Sequence, residues 1–218
     1  MDDMAIEVYV ENQQSGAQRR EQPPLVPLTL DISGEPETPR PSTVTGDRCT
    51  CCGLRTTRLW DGGRSAMPEP HAVCTLCYLA GHLDSPTAAH GRLAYLPGLA
   101  MADIHHLQRC ALLALKEGTR EQRRDGQRLW RWLMMHTREV EQAWGSARAG
   151  EFAAAMQLLP PMRRGTLQAR LAGCALILPH DAIDDISLLL PEGKSAAAVL
   201  GSRSWATYTR SDLYVEPS

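Results

Sequence analysis

Two pairs of cysteines constrain this chain more than any other feature: Cys49 and Cys52, then 21 intervening residues, then Cys74 and Cys77. Two residues between thiols let both sulfurs reach one ion at about 2.3 Å, and two such pairs complete a tetrahedral shell with no position left for water. A closed shell of this kind is structural. One zinc ion held by Cys49, Cys52, Cys74 and Cys77 is therefore expected. Gly53 directly follows Cys52, as suits a knuckle whose tight turn needs a residue without a side-chain clash.

The competing readings are four ordinary reduced cysteines or two redox-active pairs. A thioredoxin-type pair sits between a strand and a helix in a βαβ unit, and neither pair has that pattern around it. Cys51 could replace Cys49 or Cys52 in the shell, but its adjacency to Cys52 makes it a bystander. His71 could substitute for a thiol and is read instead as a surface residue. Cys110 and Cys174 fall on apolar stretches read as helix faces, which makes them core residues.

With 218 residues, 43% of them hydrophobic, the chain can bury a substantial core. A formal net charge of −2 supplies no global positive field to gather it onto nucleic acid or an anionic membrane, so any such binding must come from a local patch. The first residues carry Asp2, Asp3 and Glu7 and no apolar run, unlike a signal peptide. No stretch approaches the roughly 20 apolar residues that cross a bilayer. A cytoplasmic protein is expected, where isolated disulfides are rare and cysteines serve as metal ligands or buried thiols.

Four regions follow from the patterning. Residues 1–45 read as a flexible arm rich in Gln, Pro, Glu and Ser; Leu25–Ile32 has the alternation of one edge strand, and Pro27 fits an edge. Residues 46–100 form the four-cysteine module, closing with the strand-like tract Gly91-Arg-Leu-Ala-Tyr-Leu-Pro97. Residues 101–178 are helical. Met101–Lys116 places Ile104, Leu107, Ala111, Leu112 and Leu115 on one face, with Gly118 as its stop. Thr119 and Gln122 make a capping-box signature for one long helix reaching Trp144, before Gly145. Helices are expected again near Glu151–Leu159 and Pro161–Leu178. Residues 179–218 form a C-terminal extension whose apolar stretches, Ile183–Leu190 and Ala196–Trp205, are broken by Pro191, Glu192 and Gly193. The fold class is thus α+β, mainly α, with a zinc-knuckle module followed by a helical bundle.

Little in the chain points to catalysis. An HNH-type nuclease needs a histidine base and an open metal position, and Leu54–Val73 offers only His71. His105 and His106 are adjacent and point about 100° apart on a helix, so one is expected packed and the other solvated. Asp184 and Asp185 read as a solvated turn. Gly62-Gly63 lacks the GK[ST] element of a phosphate loop. The run Lys116, Arg120, Arg123, Arg124, Arg128, Arg131 and Arg138, against Glu117, Glu121 and Asp125, makes a local basic surface. Such faces are mostly solvated helix exteriors; with Trp130 and Trp132 nearby, this one could dock an acidic segment.

The order of features resembles the DotN/IcmJ family, zinc proteins of type IVB secretion and conjugation machines and their plasmid-transfer relatives. The resemblance runs from about Cys49 to Trp144. It rests on the C-x-x-C-G knuckle, the second pair Cys74-Thr-Leu-Cys77-Tyr-Leu, the tract Gly91–Pro97 and a helix beginning Ala102-Asp-Ile-His-His-Leu. It implies an HNH-like, treble-clef type zinc fold and a non-catalytic adaptor at the cytoplasmic side of a coupling complex. The implied partners are the coupling ATPase and other coupling-complex subunits, for substrate recruitment, with membrane contact only through them and no small-molecule substrate. The four cysteines carry over as ligands; partner-binding residues do not. The span between the pairs lacks the Asp-His-Asn element of the secretion members, and the proline-rich arm and C-terminal tail are unlike theirs, which favours a conjugation or otherwise divergent system over a close secretion homologue. The alternatives are a zinc-finger DNA-binding regulator or degenerate HNH nuclease relative using Lys116–Arg138, and a thiol redox sensor acting through Cys51.

Overall fold

In the computed structural model, which describes residues 30, 44–62, 71–202 and 204–207, the chain is mainly helical with two small antiparallel sheets. The expected edge strand at Leu25–Ile32 lies outside the described residues, except for Leu30, which is buried. Strands β1 (Trp60–Asp61) and β2 (Ala72–Val73) form the hairpin between the cysteine pairs. Helix α1 (Thr75–Gly81) carries the second pair at its start, and the short α2 (Pro86–Ala89) is capped by the Ser85 hydroxyl, which accepts the Ala88 N–H. The tract ending at Pro97 is strand β3 (Arg92–Tyr95).

The helical part is built on a hairpin of two helices, α3 (Met101–Glu117) and α4 (Arg120–Met135). Gly118 closes α3 by donating its N–H to Ala114 O, and the Thr119–Gln122 capping box opens α4 with both reciprocal bonds formed. Ile104, Leu107, Ala111 and Leu112 are buried as the periodicity requires, whereas Leu115, expected on the same face, is only half-buried. The two helices cross where side chains are smallest: a Cβ on Gly126 would meet Ala114 Cβ at 2.8 Å and Ala111 O at 3.0 Å. Leu129 and Leu133 then fill the seam, both fully buried.

Two expected helices are shorter in the structure. The helix running to Trp144 breaks at His136 and resumes as α5 (Thr137–Trp144). The His136 carbonyl accepts the Tyr95 N–H of β3 at 2.9 Å, a tertiary bond that takes the group out of the helical ladder. After α6 (Ala149–Leu158), helix α7 (Pro161–Arg170) ends short of Leu178. Past Gly173 the chain becomes strand β4 (Cys174–Ile177), paired antiparallel with β3 from Arg92↔Ile177 to Tyr95↔Cys174. Cys174 is therefore a strand residue and not on a helix face. It is buried, as expected of a core thiol.

The C-terminal extension is pinned at several points. Ile186–Leu188 forms a 3-10 turn capped by Asp185, which accepts the Ser187 N–H at 2.9 Å. Arg58 pairs with Asp185 at 3.1 Å and Lys116 with Asp184 at 3.7 Å, so this exposed turn ties the cysteine module to α3. Helix α8 (Ala196–Leu200) lies against α3 and buries Leu200, whose carbonyl accepts the Gln122 amide; α9 (Ser204–Thr207) contributes Trp205 to the core.

Gln108 of α3 is buried and brackets β4: its Nε2 donates to Leu176 O at 3.1 Å and its Oε1 accepts the Leu178 N–H at 2.6 Å. Leucine there would strand two backbone groups, each costing about 1–3 kcal/mol. Gln108→Leu is expected to destabilise the protein by about 2–5 kcal/mol in chemical denaturation. An unchanged midpoint would show that water reaches those groups.

Candidate metal centre

The knuckle and the start of α1 bring four sulfurs together. Gly53 adopts φ +71° and returns its N–H to Cys49 O at 3.0 Å, while Cys49 N–H reaches Leu54 O at 2.8 Å. That left-handed turn is open to glycine at no steric cost, and it folds Cys52 back so that its N–H faces Cys49 Sγ at 3.5 Å. Cys74 is the N-cap of α1 and Cys77 sits in its first turn, so both side chains project to the same side. The β1–β2 hairpin delivers α1 to the knuckle.

Cys49, Cys52, Cys74 and Cys77 are all buried, with ligand atoms within 4.8 Å of one another. A tetrahedral shell with metal–sulfur bonds of about 2.3 Å puts its sulfurs about 3.8 Å apart, and Cys52 Sγ lies 3.5 Å from Cys74 Sγ. The donor set thus fits one structural metal ion. Left to itself the cluster shares charge unevenly: hydrogen bonds from Cys51, Cys52, Cys74 and Cys77 hold the Cys49 thiol far below its ordinary range. Cys74 and Cys77 are pushed well above theirs, first by their hydrogen bond to Cys49. Four thiolates require the positive charge of an ion.

The other sequence candidates fall outside this set. Cys51 is buried beside it, and its thiol is pushed up to about 12, chiefly by the hydrogen bond to Cys49. His71 serves through its backbone, its carbonyl accepting the Gly62 N–H at 2.8 Å. Burial raises the Cys110 and Cys174 thiols to about 11 each, in keeping with packed, unreactive side chains.

Helix α3 supplies a polar layer around the sulfurs that the sequence reading missed. Arg109 is 2% exposed and directs one terminal nitrogen at Cys74 Sγ, 3.4 Å away, and Cys52 Sγ, 3.8 Å away. Burial opposes its charge, but the Cys74, Cys52 and Cys77 thiolates outweigh that, and the guanidinium is held above its ordinary value. His105, one turn earlier, is also buried and places Nδ1 3.2 Å from Cys77 Sγ. Burial first, then the neighbouring Arg109 charge, pushes its pKa down to about 3, so the ring is neutral, and toward a thiolate at Cys77 its Nδ1–H tautomer is the one that donates.

His106 is exposed along its outer edge, so one packed and one solvated histidine is what the structure contains. Both nevertheless reach the cysteine module. Arg109 donates to His106 Nδ1 at 2.8 Å, and His106 Nε2 lies 2.9 Å from Cys52 O, which fixes the proton on Nε2. The adjacency argument fails because His105 addresses a sulfur and His106 a backbone carbonyl beside it. The signal in the sequence was the i, i+4 pair His105 and Arg109, two polar residues within an apolar helix stripe.

Protein-family models and curated proteins give no match to the chain. The site is accordingly read from its own chemistry.

Cys74→Ser is expected to abolish metal binding and lower the thermal midpoint sharply, because site occupancy is largely folding free energy, on the order of 10 kcal/mol. Cys51→Ser should keep the ion, as measured by mass spectrometry under native conditions. Arg109→Gln should retain the fold but weaken metal affinity about 10-fold to 100-fold, as changes around ligand shells do, with partial rescue in Arg109→Lys. Competition with a chromophoric chelator reads both, and unchanged affinity in Arg109→Gln would exclude this role.

Proposed function

We propose that this chain is a non-catalytic, zinc-stabilised adaptor subunit of a type IVB secretion or conjugal transfer apparatus. In this reading it binds the coupling ATPase and its companion subunits at the cytoplasmic face and helps recruit substrates. Zinc is the ion of choice because four thiolates in a closed tetrahedral set are its structural site.

One observation carries the non-catalytic part: the four sulfurs are enclosed by Arg109, His105 and His106, all committed to the sulfurs or their backbone. A hydrolytic centre needs an open coordination position and an oriented base, and these histidines are spent on holding the cluster. The order of knuckle, hairpin and helix agrees with a treble-clef, HNH-like module, and α3 joins it to the helical part as the resemblance to the DotN/IcmJ family implies. Among the described residues no helix is long and apolar enough to cross a membrane, which agrees with attachment through partners.

Purified protein is expected to carry one zinc per chain, and a coupling ATPase of the host's transfer machinery should co-purify with the tagged full-length chain. Zinc retained with no coupling ATPase recovered under any extraction condition would remove the adaptor reading while leaving the metal site. A cleaved DNA or RNA substrate would overturn the non-catalytic assignment.

A further inference from the structure

The outer face of α4 carries charge that the fold does not use. Arg120, Arg124 and Arg131 lie at helical spacings i, i+4 and i+11, which place them on one stripe. All three are exposed and make no ion pair among the described residues. Two neighbours are only partly engaged: Arg128 faces Asp125 at 3.7 Å, and Arg123 donates one nitrogen to Gly118 O at 2.8 Å. The acidic residues on this stretch are Glu117, Glu121 and the buried Asp125, which faces Arg128, so that arginines outnumber carboxylates along the outer face of α4.

These arginines line a groove of about 780 Å³ whose floor is apolar, made by Leu115, Trp132 and Met135. Trp132 is 8% exposed and its ring is set edge-on against His136, with centroids 4.9 Å apart. At that exposure it shows the groove only a small part of its ring, enough for side-chain contact but less than the stacking platform that single-stranded nucleic acid uses. Arginine at an apolar depression is the composition of an interface centre, where the guanidinium grips carboxylates and the floor takes a side chain.

We infer that the α4 groove docks a carboxylate-rich protein segment carrying an aliphatic or aromatic anchor. From Arg120 to Arg131 the stripe is about 16 Å long, room for about five extended residues or three helical turns. The arginines fix the register of Asp and Glu side chains, and the anchor fills the space over Trp132 and Met135. This deepens the adaptor reading and rests on it: the groove is the surface through which a partner subunit is held.

The test uses the full-length zinc-loaded protein and a short fluorescein-labelled peptide in which Asp and Glu alternate with Leu, followed by anisotropy. Saturable binding is expected, weakening with salt, and Arg124→Glu with Arg131→Glu should weaken it about tenfold or more without altering zinc content or thermal midpoint. Replacing every Leu of the peptide by Ser should weaken binding comparably. No saturable binding, or equal binding by the Ser peptide, overturns the proposal. Tighter binding of a labelled DNA duplex than of the peptide, abolished by the same double variant, overturns it in favour of a nucleic-acid surface. Peptide binding that tightens when Asp2, Asp3, Glu7 and Glu11 are neutralised in the full chain overturns it in favour of the chain's own N-terminal segment. A dimer that the double variant dissolves does so in favour of a second copy. Capture of the coupling ATPase unaffected by the double variant removes the groove alone, whereas absence of that ATPase from wild type and variant alike removes the adaptor reading.

Discussion

The constraint on which the rest of the structure depends is the burial of four cysteine sulfurs at one point, to which Arg109 brings a charge. With a divalent ion bound, four thiolates would carry a net double negative charge, and burying that charge is costly unless a cation and hydrogen-bond donors meet it. Arg109 halves it at 3.4 Å from Cys74 Sγ, and His105 offers a neutral donor to Cys77. The same α3 residues stand among Ile104, Leu107, Leu112 and Leu113, which are the core of the helical part. Helix α3 is thus shared by the cysteine module and the helical part: His105 and Arg109 face the sulfurs while its leucines face the helical core.

The C-terminal stretch closes this arrangement from outside. Its 3-10 turn is reached by Arg58 from the module and by Lys116 from α3, while Thr75 of α1 donates to Leu188 O at 3.4 Å and takes the Trp60 indole N–H at 3.3 Å. The exposed ion pairs add little individually. The buried Leu189, Leu200 and Trp205 supply the apolar area that holds the stretch in place.

Local rules were legible in the sequence. Cysteine spacing brought out the four sulfurs, the Thr119–Gln122 box and Gly118 marked the α3–α4 turn, and apolar periodicity gave α3 its buried face up to the half-buried Leu115. What the sequence hid was every feature decided by a distant partner. Cys174–Ile177 is apolar throughout, so it lacks the alternation that reveals a half-buried strand and reads as more helix. Nothing in the residues near His136 announces that Tyr95 will take its carbonyl. Arg109 looks like one more helix arginine until the sulfurs it faces are in place, and its spacing of four from His105 has meaning only once both are seen to face them.

Strand β3 also sets an order of events for a chain made from its N-terminus. The cysteine module and β3 leave the ribosome well before β4, so the β3 edge that will meet Cys174–Ile177 waits unpaired while α3 to α7 are synthesised. Its opposite edge can be satisfied sooner, since Leu93 N–H bonds Ala147 O and Gly91 O accepts the Ala149 N–H. A strand with one open edge is a site for mispairing between nascent chains. Pairing β3 with β4 closes a loop of about 80 residues, a non-local step that slows folding, and until it is made a holdase chaperone has an open strand edge to protect.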